Sequence, residues 1–280
     1  MTPHLLIAGN GYLGQAITQQ ARAKHWQVST LSLSGENSDH ACDFTNSKAL
    51  QELAQSIPQP SHLIASASSG RGGPQAYQRV FLQGTQTLLN VFPEAKHTFI
   101  SSSSVYRHTD GSTVDESSEL AGETKNSAIL RQAEKLTLDA GSTALRLSGI
   151  YGPSRSVILR KFLAGEATLE DTNDEQFGIR ILNQIHRDDA ARAVLHLIEN
   201  KHFGLYNVTD NQPTTQRETY HSLCEKFARP TPPTAPPNPN SKRGWTNKAV
   251  ANQKLRATGW NPHYPSFLSA IDDLLSKQID

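Results

Sequence analysis

Short apolar runs alternate with longer amphipathic stretches through the first half of the chain. The apolar runs predict strands, and the amphipathic stretches between them predict helices. The predicted strands are His4–Ala8, Gln27–Leu33, Ala41–Phe44, His62–Ala67, His97–Ser101 and Ser142–Leu147. The predicted helices are Tyr12–Lys24, Ser47–Ser56, Pro74–Phe92 and Thr124–Ala140. Strands separated by helices of this length indicate βαβ units, and therefore an α/β protein with a doubly wound parallel sheet.

The alternation is less regular after Tyr151. The elements predicted there are helix Ser154–Leu163, strand Phe177–Ile185, helix Arg187–Glu199, strand Gly204–Thr209 and helices Thr215–Phe227, Thr246–Thr258 and Tyr264–Lys277. We expect residues 1–150 to form one domain and residues 151–280 a smaller α/β region, with about 177–200 interleaved into the first domain.

A proline-rich segment, Arg229–Asn240, contains six of the 15 prolines of the chain. Such a segment cannot be helical, and we expect an ordered, extended surface loop. A disordered linker is the alternative.

Composition excludes several classes of protein. Lys plus Arg number 27 and Asp plus Glu 26, and this balance gives no reason to expect nucleic acid or a membrane surface as a partner. Apolar runs are too short for a membrane span, and the N-terminus lacks the features of a signal peptide. The two cysteines, Cys42 and Cys224, cannot make a disulfide framework or a zinc site, and the 11 histidines show no metal-ligand spacing. We expect a cytoplasmic protein without a metal, acting on a small molecule.

Residues 5–14 read Leu-Leu-Ile-Ala-Gly-Asn-Gly-Tyr-Leu-Gly, a G-x-G-x-x-G pattern between a predicted strand and a predicted helix. Gly9 permits the tight turn, Gly11 lets a diphosphate approach the backbone, and Gly14 lets the helix pack closely on the sheet. The helix N-terminus supplies free N–H groups and a partial positive charge. The pattern therefore predicts a dinucleotide-binding turn. Its predicted cofactor contacts are Gly9, Asn10, Gly11, Tyr12, Leu13 and Gly14.

The residues after the second predicted strand bear on the choice of cofactor. NAD-binding proteins usually carry an acidic residue there, whereas this chain has Ser32 and Ser34, and Glu36 comes late. The predicted cofactor is NAD or NADP, with a slight preference for NADP because the serines do not repel a 2′-phosphate. Ser32, Ser34 and Ala67, which ends the fourth predicted strand, are included among its expected contacts.

Further motifs follow the glycine turn in a fixed order. They are Gly84-Thr85, Ile100-Ser-Ser-Ser-Ser-Val-Tyr106, Leu145-Arg-Leu-Ser-Gly-Ile-Tyr-Gly-Pro153, Ile185-His-Arg-Asp-Asp-Ala-Ala-Arg192 and Tyr206-Asn-Val-Thr-Asp210. Over nearly the whole chain, this set resembles the NAD-dependent epimerase/dehydratase family, the extended branch of the short-chain dehydrogenases/reductases. The resemblance implies a Rossmann domain with a smaller C-terminal substrate domain, and hydride transfer to the cofactor. The usual substrates of that family are nucleotide-sugars.

The resemblance also implies roles for individual residues. It places the catalytic serine at Ser102 and an adenine-contacting aspartate at Asp43. A serine turn that uses its hydroxyls locally and a surface aspartate are the alternatives. Tyr106 and Tyr151 are weaker candidates for a proton donor, since aromatic residues at strand ends more often belong to the core.

The Tyr-x-x-x-Lys pair of the family has no counterpart in this alignment. In that pair the lysine lowers the pKa of the tyrosine, which then exchanges a proton with the substrate. Alignment on Gln132-Ala-Glu-Lys-Leu136 places Asn126 at the tyrosine position and Leu130 at the lysine position. Phe81 and Gly149 replace two asparagines of the family, one in a water relay and one that contacts nucleotide-sugars. The chain thus resembles an atypical branch of the superfamily that lacks the pair.

Two functions are open on the sequence alone. One is an oxidoreductase or epimerase acting on a small carbonyl or sugar-like substrate, slow unless another group transfers the proton. The other is a non-catalytic, dinucleotide-binding regulatory or sensor protein. Arg155 and Arg243 are candidates to clamp an anionic ligand, with solvated surface arginines as the alternative. Relatives often pair helices into dimers, so a homodimer is also open.

Overall fold

The computed structural model describes residues 3–70, 72–120, 124–171, 177–237 and 245–276. In chain order the strands and α-helices are β1 His4–Ala8, α1 Tyr12–Ala23, β2 Gln27–Ser32, β3 His40–Ala41, α2 Ser47–Ala54, β4 His62–Ala65, α3 Pro74–Tyr77, α4 Gly84–Val91, β5 Lys96–Ser102, β6 Thr113–Val114, α5 Lys125–Asp139, β7 Thr143–Leu147, β8 Gly149–Tyr151, α6 Val157–Leu163, β9 Leu169–Glu170, β10 Ile181–Leu182, β11 Gln184–His186, α7 Arg187–Glu199, β12 Gly204–Val208, β13 Thr214–Thr215, α8 Gln216–Phe227, β14 Thr234–Ala235, β15 Ala249–Val250, α9 Gln253–Arg256 and α10 Ile271–Ser276. A π-helical turn, Gln78–Gln83, joins α3 to α4, and 3₁₀ turns lie at Ser103–Val105 and Leu268–Ala270.

The main sheet is parallel and covered on both faces. Within the described residues it has seven strands in the order β12-β7-β5-β4-β1-β2-β3. β1 is buried along its whole length because α1 and α7 pack on one face of the sheet, and α2, α4 and α5 on the other. The predicted doubly wound α/β fold of the Rossmann type is confirmed.

Some predicted elements are corrected. β3 ends at Ala41 rather than at Phe44, because the Asp43 carboxylate accepts hydrogen bonds from the amide (3.0 Å) and hydroxyl (2.7 Å) of Thr45 and forms a turn. The predicted strand Phe177–Ile185 is extended only in β10 and β11.

The last two predicted helices are shorter than expected. Much of Thr246–Thr258 is not helical, because β15 pairs in parallel with β6 and only α9 follows it. The final helical segment begins at Leu268 rather than at Tyr264, and residues 277–280 lie outside the described residues.

The proline-rich segment is extended where it is described. β14 lies within it and pairs in parallel with β9, so this part is ordered and hydrogen-bonded. Residues 238–240 of the segment lie outside the described residues.

The region after β8 has a hydrophobic cluster of its own, but the chain also returns to the main sheet. The cluster consists of Tyr151, Leu159, Phe162, Ala167, Leu169, Tyr220, Leu223, Phe267, Ala270, Ile271 and Leu274. The returning elements are α7, which packs on α1, and β12, which pairs with β7 at the sheet edge. The part of this region that joins the main sheet and its helices therefore extends to Val208, beyond the expected residues 177–200. None of the described helices is long and apolar enough to cross a membrane.

A buried ion pair lies between α5 and β7. The Arg146 guanidinium donates to both carboxylate oxygens of Glu134, with Nη2–Oε2 at 2.7 Å and Nε–Oε1 at 3.0 Å. Arg146 Nη1 also donates to the Tyr106 hydroxyl at 2.9 Å, and that hydroxyl lies 2.9 Å from Asn207 Oδ1. Ser101 donates to Glu134 as well, so one network joins α5 to β5, β7 and β12.

The first prediction concerns this ion pair. Glu134→Gln should lower the free energy of unfolding by about 3–5 kcal/mol, because the Arg146 charge remains buried without its counter-ion. Urea unfolding monitored by circular dichroism measures the change. Asp139 on the same helix pairs with Lys135 at the surface, so Asp139→Asn is the matched control, with an expected loss of about 0–1 kcal/mol. Equal, small losses in both variants would contradict the expectation.

Candidate functional site

The turn between β1 and α1 is tightly packed at two of its three glycines. Gly9 has a φ of +98°, and a Cβ at this position would overlap the backbone of Ala67. A Cβ at Gly14 would overlap the Gly9 carbonyl oxygen and lie 3.1 Å from the Ser66 hydroxyl. That hydroxyl donates to the Gly9 carbonyl at 2.6 Å and links β4 to the turn. The missing side chains therefore allow α1 to begin directly against the sheet.

Gly11 faces open space instead. A Cβ at Gly11 would meet no other heavy atom within 4 Å. Gly11 is the N-cap of α1, no side chain caps this helix end, and its first turn holds no acidic residue. Free amides and the positive end of a helix dipole suit an anion. The backbone at this position thus fits the diphosphate of a dinucleotide.

A cavity of about 810 Å³ runs past this turn at the C-terminal ends of the parallel strands. Nine of the ten predicted cofactor contacts line it, namely Gly9, Asn10, Gly11, Tyr12, Leu13, Ser32, Ser34, Asp43 and Ala67. Gly14, the tenth, packs α1 against the sheet and is not part of the lining. In such a fold the ligand crosses the sheet where the strand order reverses, here between β1 and β4. We call the part beside β2 and β3 the adenosine half and the part beside β5, β7 and β8 the nicotinamide half.

Short polar side chains line the adenosine half. Ser32 Oγ donates to the Glu36 carbonyl at 3.3 Å, and Ser34 Oγ accepts from the Glu36 amide at 3.2 Å, so the hydroxyls hold the loop after β2. Glu36 itself lines the cavity, and the two arginines of the described lining, Arg79 and Arg155, come from the π-helical turn before α4 and from the segment after β8. Asp43 both forms its local turn and lines the cavity, so the two interpretations of this residue are compatible.

Tyr12 connects the glycine turn to the segment after β8. Its hydroxyl donates to the Pro153 carbonyl at 3.0 Å, and the guanidinium carbons of Arg155 and Arg187 each lie 5.0 Å from its ring centre. Arg155 lines the cavity, while Arg187 is ion-paired with the adjacent carboxylate on α7. Burial raises the pKa of Tyr12 above its ordinary value. Arg243, the other arginine of the anion-clamp hypothesis, lies outside the described residues.

Ser102 lies in the nicotinamide half, at the end of β5. It lines the cavity, and its Oγ accepts a hydrogen bond from the Ser104 amide at 3.2 Å, which caps the following 3₁₀ turn. The local role expected for a serine turn is therefore present. The hydroxyl hydrogen is not used by that bond and is available to a ligand.

The hydroxyls of the two tyrosines suggested as proton donors are hydrogen-bonded within the protein. Tyr106 is fully buried and does not line the cavity, and its hydroxyl is enclosed by Arg146 and Asn207. Tyr151 contributes to the lining, but its hydroxyl donates to the Ser266 carbonyl at 3.3 Å, and burial raises its pKa. This geometry contradicts a proton-donating role for Tyr106 and argues against one for Tyr151. The position of a tyrosine within a motif does not show which way its hydroxyl points.

The residues aligned with the Tyr-x-x-x-Lys pair lie away from the described lining. Leu130 is 2% exposed and packs in the core, and Asn126 is partly buried. Phe81 and Gly149, which replace the two asparagines, do line the cavity. No lysine or histidine is present in the described lining. The nicotinamide half therefore offers hydroxyls, an amide and an arginine, but no group whose ordinary pKa is near neutral.

Two aspartates anchor the C-terminal region beside this site. Asp189, in the first turn of α7, accepts hydrogen bonds from the amides of His263 (2.7 Å) and Tyr264 (2.8 Å). Asp189 thus ties the first turn of α7 to a segment more than 70 residues further along the chain. Burial and the nearby Asp189 raise the pKa of Asp210 to about 8.

The fold agrees with the comparison with known families. A model described as the NAD dependent epimerase/dehydratase family matches residues 5–209, which is most of the chain. The chain belongs to this family. The resemblance inferred from the sequence motifs is confirmed, and the description of the family as NAD dependent agrees with the prediction of NAD or NADP as cofactor.

Individual relatives of this family member are distant. A 3-diazoavenalumate denitrifying reductase from Streptomyces sp is 26% identical over 147 residues, which are 48% of this chain and 47% of that protein, so the match spans about half of its length. A Methylobacillus flagellatus protein, described as a candidate NAD-dependent epimerase/dehydratase, is 26% identical with a TM-score of 0.78 and covers 100% of both chains. UDP-glucose 4-epimerase of Thermus thermophilus, solved with NAD, is 20% identical with a TM-score of 0.80 over 99% of each chain.

The site predicts the effect of filling the open space at the glycine turn. Gly11→Val should fold and should weaken binding of NADH and NADPH by about 100-fold, or about 2.8 kcal/mol, since the side chain enters the space that a diphosphate needs. Fluorescence titration measures both affinities. Gly73 is also a helix N-cap with no atom within 4 Å of a built Cβ, but it lies outside the cavity lining. Gly73→Val is therefore the control. If Gly11→Val kept the wild-type affinity for NADH and NADPH, the predicted binding of the diphosphate at this turn would be wrong.

The raised pKa of Asp210 predicts that the stability of the protein depends on pH. Its folded pKa of about 8 exceeds the ordinary value of an aspartate, so the folded protein holds an extra proton between about pH 4 and pH 8. Stability due to this group is present at low pH and is lost as the pH rises through that window. In the wild type, the free energy of unfolding should therefore fall by more than about 1.4 kcal/mol across the window. Asp210→Asn mimics the protonated form and should not show this fall. Urea unfolding at pH 5 and pH 9 tests this, with Asp139→Asn as control, and parallel profiles for wild type and Asp210→Asn would refute it.

Proposed function

We propose that this protein is an NAD(P)-dependent oxidoreductase acting on a small carbonyl or alcohol substrate. The observation that carries the proposal is one continuous cavity that joins the dinucleotide turn to Ser102. A dinucleotide whose diphosphate lies at Gly11 extends its other half toward β5 and β7, where Ser102 lies. The bound dinucleotide supplies or accepts the hydride. Ser102 donates a hydrogen bond to the substrate oxygen and so orients the reacting carbon.

The lining supports a substrate other than a nucleotide-sugar. Gly149 brings no polar side chain where family members carry an asparagine, and Phe81 makes that part of the wall apolar, with its ring 6.1 Å from that of Phe99. Arg155 adds a cation to the lining, which suits a substrate with an anionic group. The reductase activity named for the Streptomyces relative supports reduction as the reaction.

The proposed active site is atypical in its proton transfer. A well-placed general acid or base contributes about 10²–10⁴-fold to rate. With no described lysine or histidine in the lining, we expect water held by Ser102 to supply the proton, and we expect slow turnover.

We propose a slight preference for NADP over NAD. The neutral hydroxyls of Ser32 and Ser34 support it, because neither repels a 2′-phosphate. Glu36 in the same lining keeps the preference small, since its carboxylate suits the 2′-hydroxyl of NAD. We further propose that the protein is cytoplasmic, and a homodimer stays a prediction.

A dinucleotide-responsive binding protein is the second candidate. One observation favours it: Tyr12, in the glycine turn, donates a hydrogen bond to the Pro153 carbonyl and stacks with Arg155. A ligand that shifts the turn would therefore also shift the segment that leads into the C-terminal region. Binding without hydride transfer is the result that this function predicts.

Transfer of deuterium from labelled NADPH to a panel of small carbonyl compounds tests the two candidates. Ser102→Ala should lower kcat by about 100-fold with cofactor affinity unchanged, because the oxygen loses one hydrogen-bond donor. Ser104→Ala, in the same serine run but outside the described lining, is the control. Tight cofactor binding with no deuterium transfer would favour the binding protein, and an unchanged rate in an active Ser102→Ala preparation would overturn the role of that serine.

A further inference from the structure

The segment between β8 and α6 places a positive charge on the cavity wall. Arg155 is exposed and lines the cavity. Within the described residues it has no acidic partner, whereas Arg187, which contacts the same ring of Tyr12, is paired with Asp188 at 2.8 Å. The charge of Arg155 is therefore available to an anionic ligand.

The position of the Arg155 guanidinium is fixed by printed contacts on both sides of the residue. Its carbon lies 5.0 Å from the centre of the Tyr12 ring, and the Tyr12 hydroxyl donates to the Pro153 carbonyl at 3.0 Å. The Arg155 amide donates to the Gly152 carbonyl at 3.0 Å, and the Gly152 amide donates to the Arg155 carbonyl at 3.1 Å. An arginine held in this way loses little further freedom when it binds an anion.

An apolar surface begins two residues after this arginine. Val157 is 59% exposed although its side chain is hydrophobic, and it lines the cavity together with Ile150 and Ile158. Two residues of chain span at most about 7 Å, so Arg155 and Val157 lie within reach of one small molecule. Exposed apolar side chains grouped on a cavity wall suit a ligand that covers them.

The charges of the lining define the anion. The acidic residues of the described lining, Glu36 and Asp43, lie beside β2 and β3, away from the segment after β8. A guanidinium binds a carboxylate through two parallel hydrogen bonds. One arginine matches the single charge of a carboxylate, and the described lining contains no lysine that would add to it. A small carboxylic acid with an apolar body therefore matches this part of the wall.

We propose that Arg155 and Val157 select a carbonyl-containing carboxylic acid with an apolar body. Its carboxylate pairs with the Arg155 guanidinium, and its hydrocarbon part covers Val157. The proposal rests on the proposed function, since it names the chemical class of the small carbonyl substrate. It makes the segment between β8 and α6 a specificity-determining part of the cavity.

Three carbonyl compounds separate the two contacts. 4-Formylbenzoate has both a carboxylate and an aromatic ring, its methyl ester keeps the ring without the charge, and glyoxylate keeps the carboxylate without the ring. Calorimetric titration in the presence of NADP⁺ measures their binding independently of turnover. The wild type should bind 4-formylbenzoate about tenfold or more tightly than either of the other two compounds.

Two variants should each remove one contact. Arg155→Gln should weaken binding of both carboxylates by about 10- to 100-fold and leave the ester unchanged. Val157→Thr should weaken binding of 4-formylbenzoate and its ester by about three- to tenfold and leave glyoxylate unchanged. Arg160→Gln is the control, because Arg160 is an exposed arginine of α6 that pairs with Glu166 at 3.5 Å and lies outside the described lining. Both substituted side chains are exposed, so the thermal midpoints and the affinity for NADPH should not change.

The outcomes separate the acid site from the proposed function. Equal losses for NADPH and 4-formylbenzoate in Arg155→Gln would assign this arginine to the dinucleotide and overturn the acid site. Unchanged binding in Arg155→Gln, with a loss only in Arg79→Gln, the other arginine of the described lining, would overturn it as well. So would a wild type that does not prefer 4-formylbenzoate to its ester. Binding of 4-formylbenzoate that depends on Arg155, without deuterium transfer to it from labelled NADPH, would instead overturn the proposed function and leave the acid site standing.

Discussion

The close approach of α1 to the sheet is the constraint on which the remaining structure depends. Gly9 and Gly14 lie so near one another and the end of β4 that neither position has space for a methyl group. Because the helix begins there, its free amides face the cavity at the point where the strand order reverses. α7 packs on α1, and Asp189 of α7 binds the backbone at residues 263 and 264. The position of the C-terminal region therefore also depends on the two glycines, Gly9 and Gly14, that let α1 pack closely on the sheet.

The buried Arg146–Glu134 pair plays the corresponding role beneath the nicotinamide half. Removing two charges from water is expensive, so such a pair is weak evidence of stability and better understood as fixing geometry. Its hydrogen bonds reach Ser101 on β5 and, through the Tyr106 hydroxyl, Asn207 on β12. The ends of β5 and β7 carry Ser102 and Ser148, and the network sets these strands relative to α5. The polar core thus supports the side chains of the site without touching a ligand.

The sequence predicted the parts of the molecule that local patterns determine. Continuous apolar runs and the glycine turn identified β1, β4 and the first cofactor contacts, because their signals lie within about ten residues. Long-range contacts explain the failures. Val250 is extended because its amide donates to Asn183 Oδ1 at 2.7 Å, a contact 67 residues away that no local pattern reveals. The fate of the Tyr106 hydroxyl likewise depends on Arg146, 40 residues further on. Neither contact has a signal in a single sequence.

The glycine turn and the nicotinamide half differ in what forms the cavity wall. At the turn the wall consists largely of backbone amides and glycines, which tolerate change in the surrounding side chains. In the nicotinamide half the wall includes side chains such as Ser102, Arg155 and Gln184, which single substitutions can alter. Hydride transfer needs a correctly placed carbon, whereas proton transfer needs a group of suitable pKa. A chain of this family can therefore keep its dinucleotide turn while the groups that transfer the proton are replaced, and its own chemistry must be sought in the second half.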